Sequence, residues 1–172
     1  MPAVPTLEEL LGSAKHSAVH LELRDGYMRD DPMFLDWQAG SRYDQDDKAS
    51  WWSPWLDLVA AATDRGVRVR RARVVSEPLS EYTRFEHDVT FRNTGSGEDV
   101  RWLPRHRATG LALPPNDFWL IDDTFLLVHH FSGDGDFVDD EIVVDTGVVE
   151  LCRSAFDAVW QLAIPHAEYK PS

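Results

Sequence analysis

The chain has little cysteine, little lysine and no long apolar run. Its one cysteine, Cys152, rules out an internal disulfide and fits a reducing cytoplasm. No stretch of about 18 apolar residues is present, so a membrane span is not expected. The opening MPAVPTLEELLGSAK has neither a basic start nor an apolar core, so no signal peptide is read there, and the expected location is cytoplasmic. Several catalytic and binding signatures are also missing. There is no G-x-S-x-G elbow, no G-x-x-x-x-G-K-[ST] loop and no G-x-G-x-x-G turn. There is no H-E-x-x-H, and the one H-x-x-x-H spacing, His16 to His20, runs into a segment that reads as a strand, so it does not put two metal ligands on one helical face. His129 and His130 are adjacent, and adjacent strand residues point to opposite faces. Neither a metal nor a cofactor is expected.

What remains suits one domain spanning 1–172. Apolar residues make up 43% of the chain and seven tryptophans offer large buried surfaces, enough for a core without staples. The net charge of −13 argues against a general nucleic-acid binder. The charge is uneven, however. Residues 65–107 hold ten of the seventeen basic residues and six of the thirty acidic ones, a local excess of positive charge on an acidic body.

Capping and periodicity divide the chain into elements. Thr6 and Glu9 form a capping box, which places an N-terminal helix within 1–13. AVHLELRDGY alternates as a strand or extended arm, PMFLDWQAG predicts a short helix stopped at Gly40, and 41–50 is polar and predicts a mobile loop. Ser53 is placed to cap a helix with Pro54 in its first turn, WLDLVAAATDR runs to Gly66, and VRVRRARVV follows as a strand. Within that strand Val67, Val69 and Val75 share a face with Arg71 and Arg73. Two buried guanidinium groups must be paired, must reach an open edge, or must be displaced by a bulge.

SEPLSEYTRFEHDVT predicts another helix and VRWLP another strand. DFWLIDD and TFLLVHHF predict two strands joined at Asp122–Asp123–Thr124, SGDGD a turn, and FVDDEIVVD a further strand. Residues 134–141 carry oxygen ligands that suit calcium, but their glycines read as a hairpin turn. VVELCRSAFDAVWQLA closes the chain as a packed helix that buries Cys152, and 165–172 reads as a tail. The fold class is α/β, a layered sandwich with a mixed sheet flanked by helices.

The sequence's candidate site is the corner RWLPRHR. Arg101, Trp102, Arg105, His106 and Arg107 form an Arg/Trp rim suited to a small anion or an acidic protein partner, with Arg71 and Arg73 approaching from the neighbouring strand. The same arginines also read as ordinary surface pairs.

At GVRVRRARVVSEPLSEY, GEDVRWLPRHRATGLALPPNDFWLIDD and AFDAVWQLAIPHAEY the chain resembles an uncharacterised actinobacterial domain family of unknown function, from about Ala14 to Tyr169. Members of that family are often encoded beside helix-turn-helix regulators, which implies a regulatory setting. More distantly, the order of elements resembles one half of a phospholipase D-like domain, whose active members carry H-x-K-x-x-x-x-D. With Asp122 at the motif's Asp, its His falls on Pro115 and its Lys on Asp117, so the chemistry is not carried over.

Two functions follow as expectations. The first is a non-enzymatic regulatory or protein-interaction domain using the rim, with a helix-turn-helix regulator as partner and no direct nucleic-acid or membrane contact. The second is an enzyme acting on a phosphodiester or nucleic-acid substrate, with His87, His106 and Asp122 as acid and base groups.

Overall fold

A strand in the middle of a sheet buries both of its faces, so every polar side chain on it needs a partner. That requirement organises this molecule. The computed structural model describes residues 4–172. In chain order the elements are α1 (Leu7–Ser13), β1 (Ser17–Glu22), α2 (Pro32–Gln38), α3 (Lys48–Trp51), α4 (Pro54–Asp64) and β2 (Arg68–Val75). They continue with α5 (Glu81–Val89), α6 (Phe91–Gly95), β3 (Asp99–Pro104), a 3-10 turn (Arg105–Arg107), β4 (Asp117–Ile121) and β5 (Phe125–Phe131). The last are β6 (Phe137–Val143), α7 (Thr146–Leu162) and β7 (Ile164–Pro165). Seven strands form one mixed sheet in the order β6-β5-β4-β1-β2-β3-β7, with β1, β2 and β3 parallel and the other pairs antiparallel. This is the expected α/β single domain.

Alternation assigns the layers. Val19 and Leu21 of β1, Ala72 and Val74 of β2 and Phe118 and Leu120 of β4 lie under α7, against Val149, Cys152, Phe156 and Val159. On the other face Ala18, Val69, Trp119, Ile121 and Leu127 lie under α1 and α4, against Leu10, Leu11, Val59 and Ala62. Further along this second face, β3 adds Val100 and Trp102, which pack with Val75, Leu79 and Tyr169. Tyr27, Phe34 of α2 and Tyr82 and Phe85 of α5 make a fourth cluster.

Local chemistry fixes several ends. Thr6 Oγ1 accepts from Glu9 N–H while Glu9 accepts from Thr6 N–H, the reciprocal cap expected of α1. The first three residues of the expected 1–13 helix lie outside the described residues. Ser53, expected to cap α4, makes no side-chain cap bond; Pro54 in the first turn sets the start instead. The β4–β5 hairpin turns on Asp122 and Asp123, both in the left-handed region (φ 50° and 54°) as the central residues of a primed turn must be, and Thr124 N–H donates to the Ile121 carbonyl.

Two segments are more ordered than their composition suggests. Residues 41–50, expected as a mobile loop, are irregular and largely exposed to Asp47 and then enter α3, whose Trp51 is buried against Phe91. The expected tail at 165–172 is docked: β7 pairs with β3, and Tyr169 stacks on Trp102 with ring centroids 5.4 Å apart. Each is held by an aromatic anchor that a polar average conceals.

Candidate ligand-binding site

The rim expected at 101–107 is dispersed by the period of its own strand. Arg101 lies on the α7 side, where its guanidinium sits 4.2 Å over the Trp160 ring and Nη1 donates to the Trp160 carbonyl. Trp102 points the other way, is fully buried, and donates from Nε1 to His166 Nδ1 at 3.0 Å. Arg105 is half-buried and donates to the carbonyls of Leu23 (2.7 Å) and Val74 (3.0 Å) and to Ser76 Oγ (3.0 Å), closing the C-terminal ends of β1 and β2. Only His106 and Arg107 are exposed. The five residues therefore do not share a surface, because alternation sends neighbours to opposite faces and Arg105 satisfies main-chain carbonyls.

The three acid–base candidates are not brought together either. The Asp122 carboxylate accepts from the N–H groups of Lys15, His16 and Ser17, at the N-terminal end of β1. His106 lies beyond the C-terminal end of β3, which runs parallel to β1 through β2, so the two occupy opposite edges of the sheet. His87 packs among Trp102, His166 and Tyr169.

Arg71 and Arg73 face inward and are paired. Glu22 of β1 accepts from Arg71 Nη1 at 2.6 Å and from Arg73 Nε at 2.5 Å. Arg71 Nε donates to Glu98 at 2.6 Å, and Arg73 Nη1 to Thr90 Oγ1 at 2.7 Å. The planar guanidinium suits this forked pairing, and each also lies over an indole: Arg71 over Trp119 at 5.6 Å and Arg73 over Trp102 at 4.9 Å. Burial alone would raise the Glu22 pKa, but Arg73 and Arg71 together outweigh it and hold the carboxyl well below its ordinary range.

Beside this network the sheet face opens into a cleft of about 610 Å³. Its floor is His20 and Glu22 of β1, Arg71 of β2, Asp117 and Trp119 of β4 and His129 of β5. One wall comes from α1 and α4 (Leu7, Glu8, Trp55), the other from Tyr27, Tyr82 and Glu86. Phe131, Phe137 and Asp140 close the end. His20 is 92% buried and stacks on Trp119, with centroids 4.4 Å apart and planes 15° apart. Its Nδ1 stands 3.5 Å from Glu22, and neither ring nitrogen makes a hydrogen bond. Burial pushes its pKa well down, with Glu22 acting against and Arg71 with that shift, so the ring is neutral and offers one donor and one acceptor. His129 Nδ1 meets Asp140 at 2.6 Å, while His130 pairs with Glu141 on the other face, as the alternation of adjacent histidines predicts.

Two acids in the cleft hold their protons unusually well. Burial raises Asp117 to about 6 although Tyr27 donates to it. Burial, with Glu22 adding to it and Arg73 opposing, raises Glu86 to about 8. A folded pKa above the ordinary 4.5 means that stability is lost as pH rises, since only the unfolded chain ionises freely between 4.5 and 8. We expect Glu86→Gln to match the parent near pH 4 and to gain on it up to pH 8, by on the order of a few kcal/mol. Chemical denaturation across that range checks it. The gain between pH 7 and 8 isolates Glu86 from Asp117, whose pKa of about 6 leaves it mostly ionised there.

A smaller hollow of about 240 Å³ lies between α2 and α5, floored by Trp37 under Arg42. Among the described residues no buried, unbonded polar atom borders it. Among the described residues, also, no group of three or more His, Cys, Asp or Glu side chains could hold a metal ion, and no helix is long and apolar enough to cross a membrane.

Apart from Arg71, the cleft residues were missed in the sequence because they come from nine separate segments. One signal was present: AVHLE puts His20 and Glu22 on one side of an alternating strand, and once that strand is central its polar side must be buried and used.

A family model described as "Domain of unknown function (DUF6879)" matches residues 5–171. No curated protein matches the chain. Among solved structures it is similar to Nuc from Salmonella typhimurium, a phospholipase D family member, at 14% identity and TM-score 0.49, over 92% of this chain and 86% of that one. It is also similar to TrmBL2, an archaeal chromatin protein whose structure is described as showing a novel mode of DNA binding. That likeness has 14% identity and TM-score 0.48, over 91% of this chain and 47% of that one. Counted back from Asp122, the positions of the H-x-K-x-x-x-x-D motif's His and Lys are Pro115 and Asp117 in this chain.

Proposed function

The chain belongs to this family of domains of unknown function, and on that premise we propose that it is a non-enzymatic regulatory domain that binds a small ligand in the cleft over β1 and β4. The observation that carries the reading is His20, nine-tenths buried in the cleft floor with both ring nitrogens unbonded. Buried polar groups are normally satisfied, and an imidazole without partners in a cleft of ligand size is a prepared binding group. Its neighbours are already committed: Glu22 to two arginines and Asp117 to Tyr27. A floor locked in this way is preorganised, which lowers the ordering cost of binding.

In this reading the domain works in the cytoplasm and passes the ligand signal to a protein partner such as a helix-turn-helix regulator. The single, buried Cys152 suits that compartment. Of the former rim, His106 and Arg107 are left to meet an acidic partner surface.

The experiment is a fragment screen of the full chain by two-dimensional NMR. Hits are expected to move the indole signals of Trp55 and Trp119 and the ring signals of His20. Hits that map instead to 105–107 would return the site to the rim and remove this reading.

One observation favours a second reading, a hydrolase. His129 is oriented by Asp140 as a general base would be, and both border the cleft. The bordering hydroxyls are Thr6, which caps α1, and two tyrosines. The base therefore lacks an evident nucleophile other than water. Turnover of a phosphodiester panel that disappears in His129→Ala would establish the enzyme in place of the binding domain.

A further inference from the structure

Charge in the cleft is one-sided. Among the described residues, five carboxyl groups border it against a single guanidinium, that of Arg71. Pairing accounts for three of them: Glu22 with Arg71 and Arg73, Asp140 with His129, and Asp117 with Tyr27 and the Leu23 N–H. Glu86 is different. It is buried and borders the cleft, yet its closest cationic partner, Arg73 Nη2, stands at 3.8 Å, beyond hydrogen-bond reach.

The surrounding wall is aromatic. Trp55 lies on one side, Tyr27 and Tyr82 on the other, and Phe131 and Phe137 at the end, above a floor that includes Trp119. Ring faces attract cations, and more strongly where water is excluded. An anion entering here would meet the carboxylates, while the one bordering guanidinium is already engaged by Glu22 and Glu98. The acidic body of the protein, net −13, draws cations toward the opening.

Resting on the reading of the cleft as a ligand site, we infer that its ligand is a small organic cation, an ammonium group on a flat apolar body. Glu86 holds the ammonium, the His20 ring lies beneath it in the floor, and the aromatic wall takes the body.

A proton is coupled to this event. Glu86 is faced by Arg71 and Arg73 from β2, Glu22 from β1, Asp117 from β4, Tyr27 from the loop after β1, and Tyr82 from its own helix. With its pKa raised to about 8, Glu86 is mostly a neutral acid at pH 7. A cation placed beside it favours the carboxylate, so the carboxyl proton passes to the buffer as the ligand seats. Affinity for an amine that stays protonated therefore rises with pH up to about 8, by at most tenfold per unit, and then levels.

The test uses the full chain and three probes of one shape: 2-phenylethylammonium, 2-phenylethanol and 3-phenylpropionate. Calorimetry in two sulfonate buffers of different ionisation enthalpy counts the protons, and the Trp119 and His20 NMR signals report the place. The ammonium is expected to bind at least about tenfold more tightly than the alcohol, as a charge-assisted hydrogen bond supplies, and to release a proton. Glu86→Gln, which is expected to fold at least as stably as the parent, should weaken the ammonium by about tenfold and abolish proton release.

Equal or better binding of the alcohol or the propionate at the same signals overturns the cation and leaves the ligand cleft standing. Unchanged affinity and proton release in Glu86→Gln overturn the role of Glu86 in the same way. If none of the three moves the cleft signals at millimolar concentration, the cation falls, and the fragment screen decides the cleft itself.

Discussion

Glu22→Ala is expected to lower stability by about 3–5 kcal/mol, the largest loss for any single carboxylate in the chain. The side chain lies between two buried guanidinium groups and accepts from both. Removing it leaves Arg73 with Thr90 Oγ1 and a distant Glu86, and leaves Arg71 with Glu98 alone. The cost is that of uncompensated buried charge, which exceeds what the intact pairs contribute over an apolar core. For a chain of 172 residues this corresponds to a fall in Tm of roughly 6–20 °C.

The pH dependence adds a second signature. A carboxyl held below its ordinary pKa contributes stability above about 4.5 that is lost as pH falls through its folded value. The parent should therefore weaken steeply on the acid side, and Glu22→Ala should weaken less over the same range. Denaturation curves at pH 7 and at pH 3 to 4 check both. Equal stability at pH 7 would mean that the two arginines find other partners.

Trp102→Ala is expected to cost about 3–5 kcal/mol as well, by a different route. The indole is fully buried, supports the Arg73 guanidinium, stacks on Tyr169 and donates to His166. Its loss opens a cavity and removes the anchor of the C-terminal segment. Hydrogen exchange or limited proteolysis should then show 164–172 released before the rest of the chain unfolds. A surface anchor in the same place would give the opposite result: unchanged stability and a lost partner. Arg107→Ala, at an exposed position, serves as the neutral control.

Legibility in the sequence followed the range of the interactions. The run from Pro54 through Gly66 into β2 was plain, because proline, an apolar stripe, a glycine stop and an alternating strand all act over a few residues. The stripe of α7 was plain for the same reason. Arg71 and Arg73 stood out as a conflict, since they share a face with valines. Their partners could not be named, because Glu22 is about fifty residues upstream and Glu98 is 27 residues downstream of Arg71, and only the sheet register joins them.

Trp102 was misplaced by grouping it with Arg101 and Arg105 in one cluster. Strand period alone separates Arg101 from Trp102. The cleft lay further out of reach. A site made from strands out of sequence order has no spacing to recognise, and its best clue was a polar pair on a strand whose central position only the topology discloses.

The ends of the sheet have a consequence for how the domain behaves in company. Open edges invite foreign strands, and both edges here are poorly suited to accept one. β6 carries Asp139, Asp140 and Glu141 in succession, so any strand approaching that side brings its backbone toward a row of negative charge. At the other end β7 is only two residues long and finishes on Pro165, which has no N–H to donate. Resistance to runaway strand addition is thus written into the two outermost segments. An incoming strand therefore finds charge at one edge and little main chain to pair with at the other.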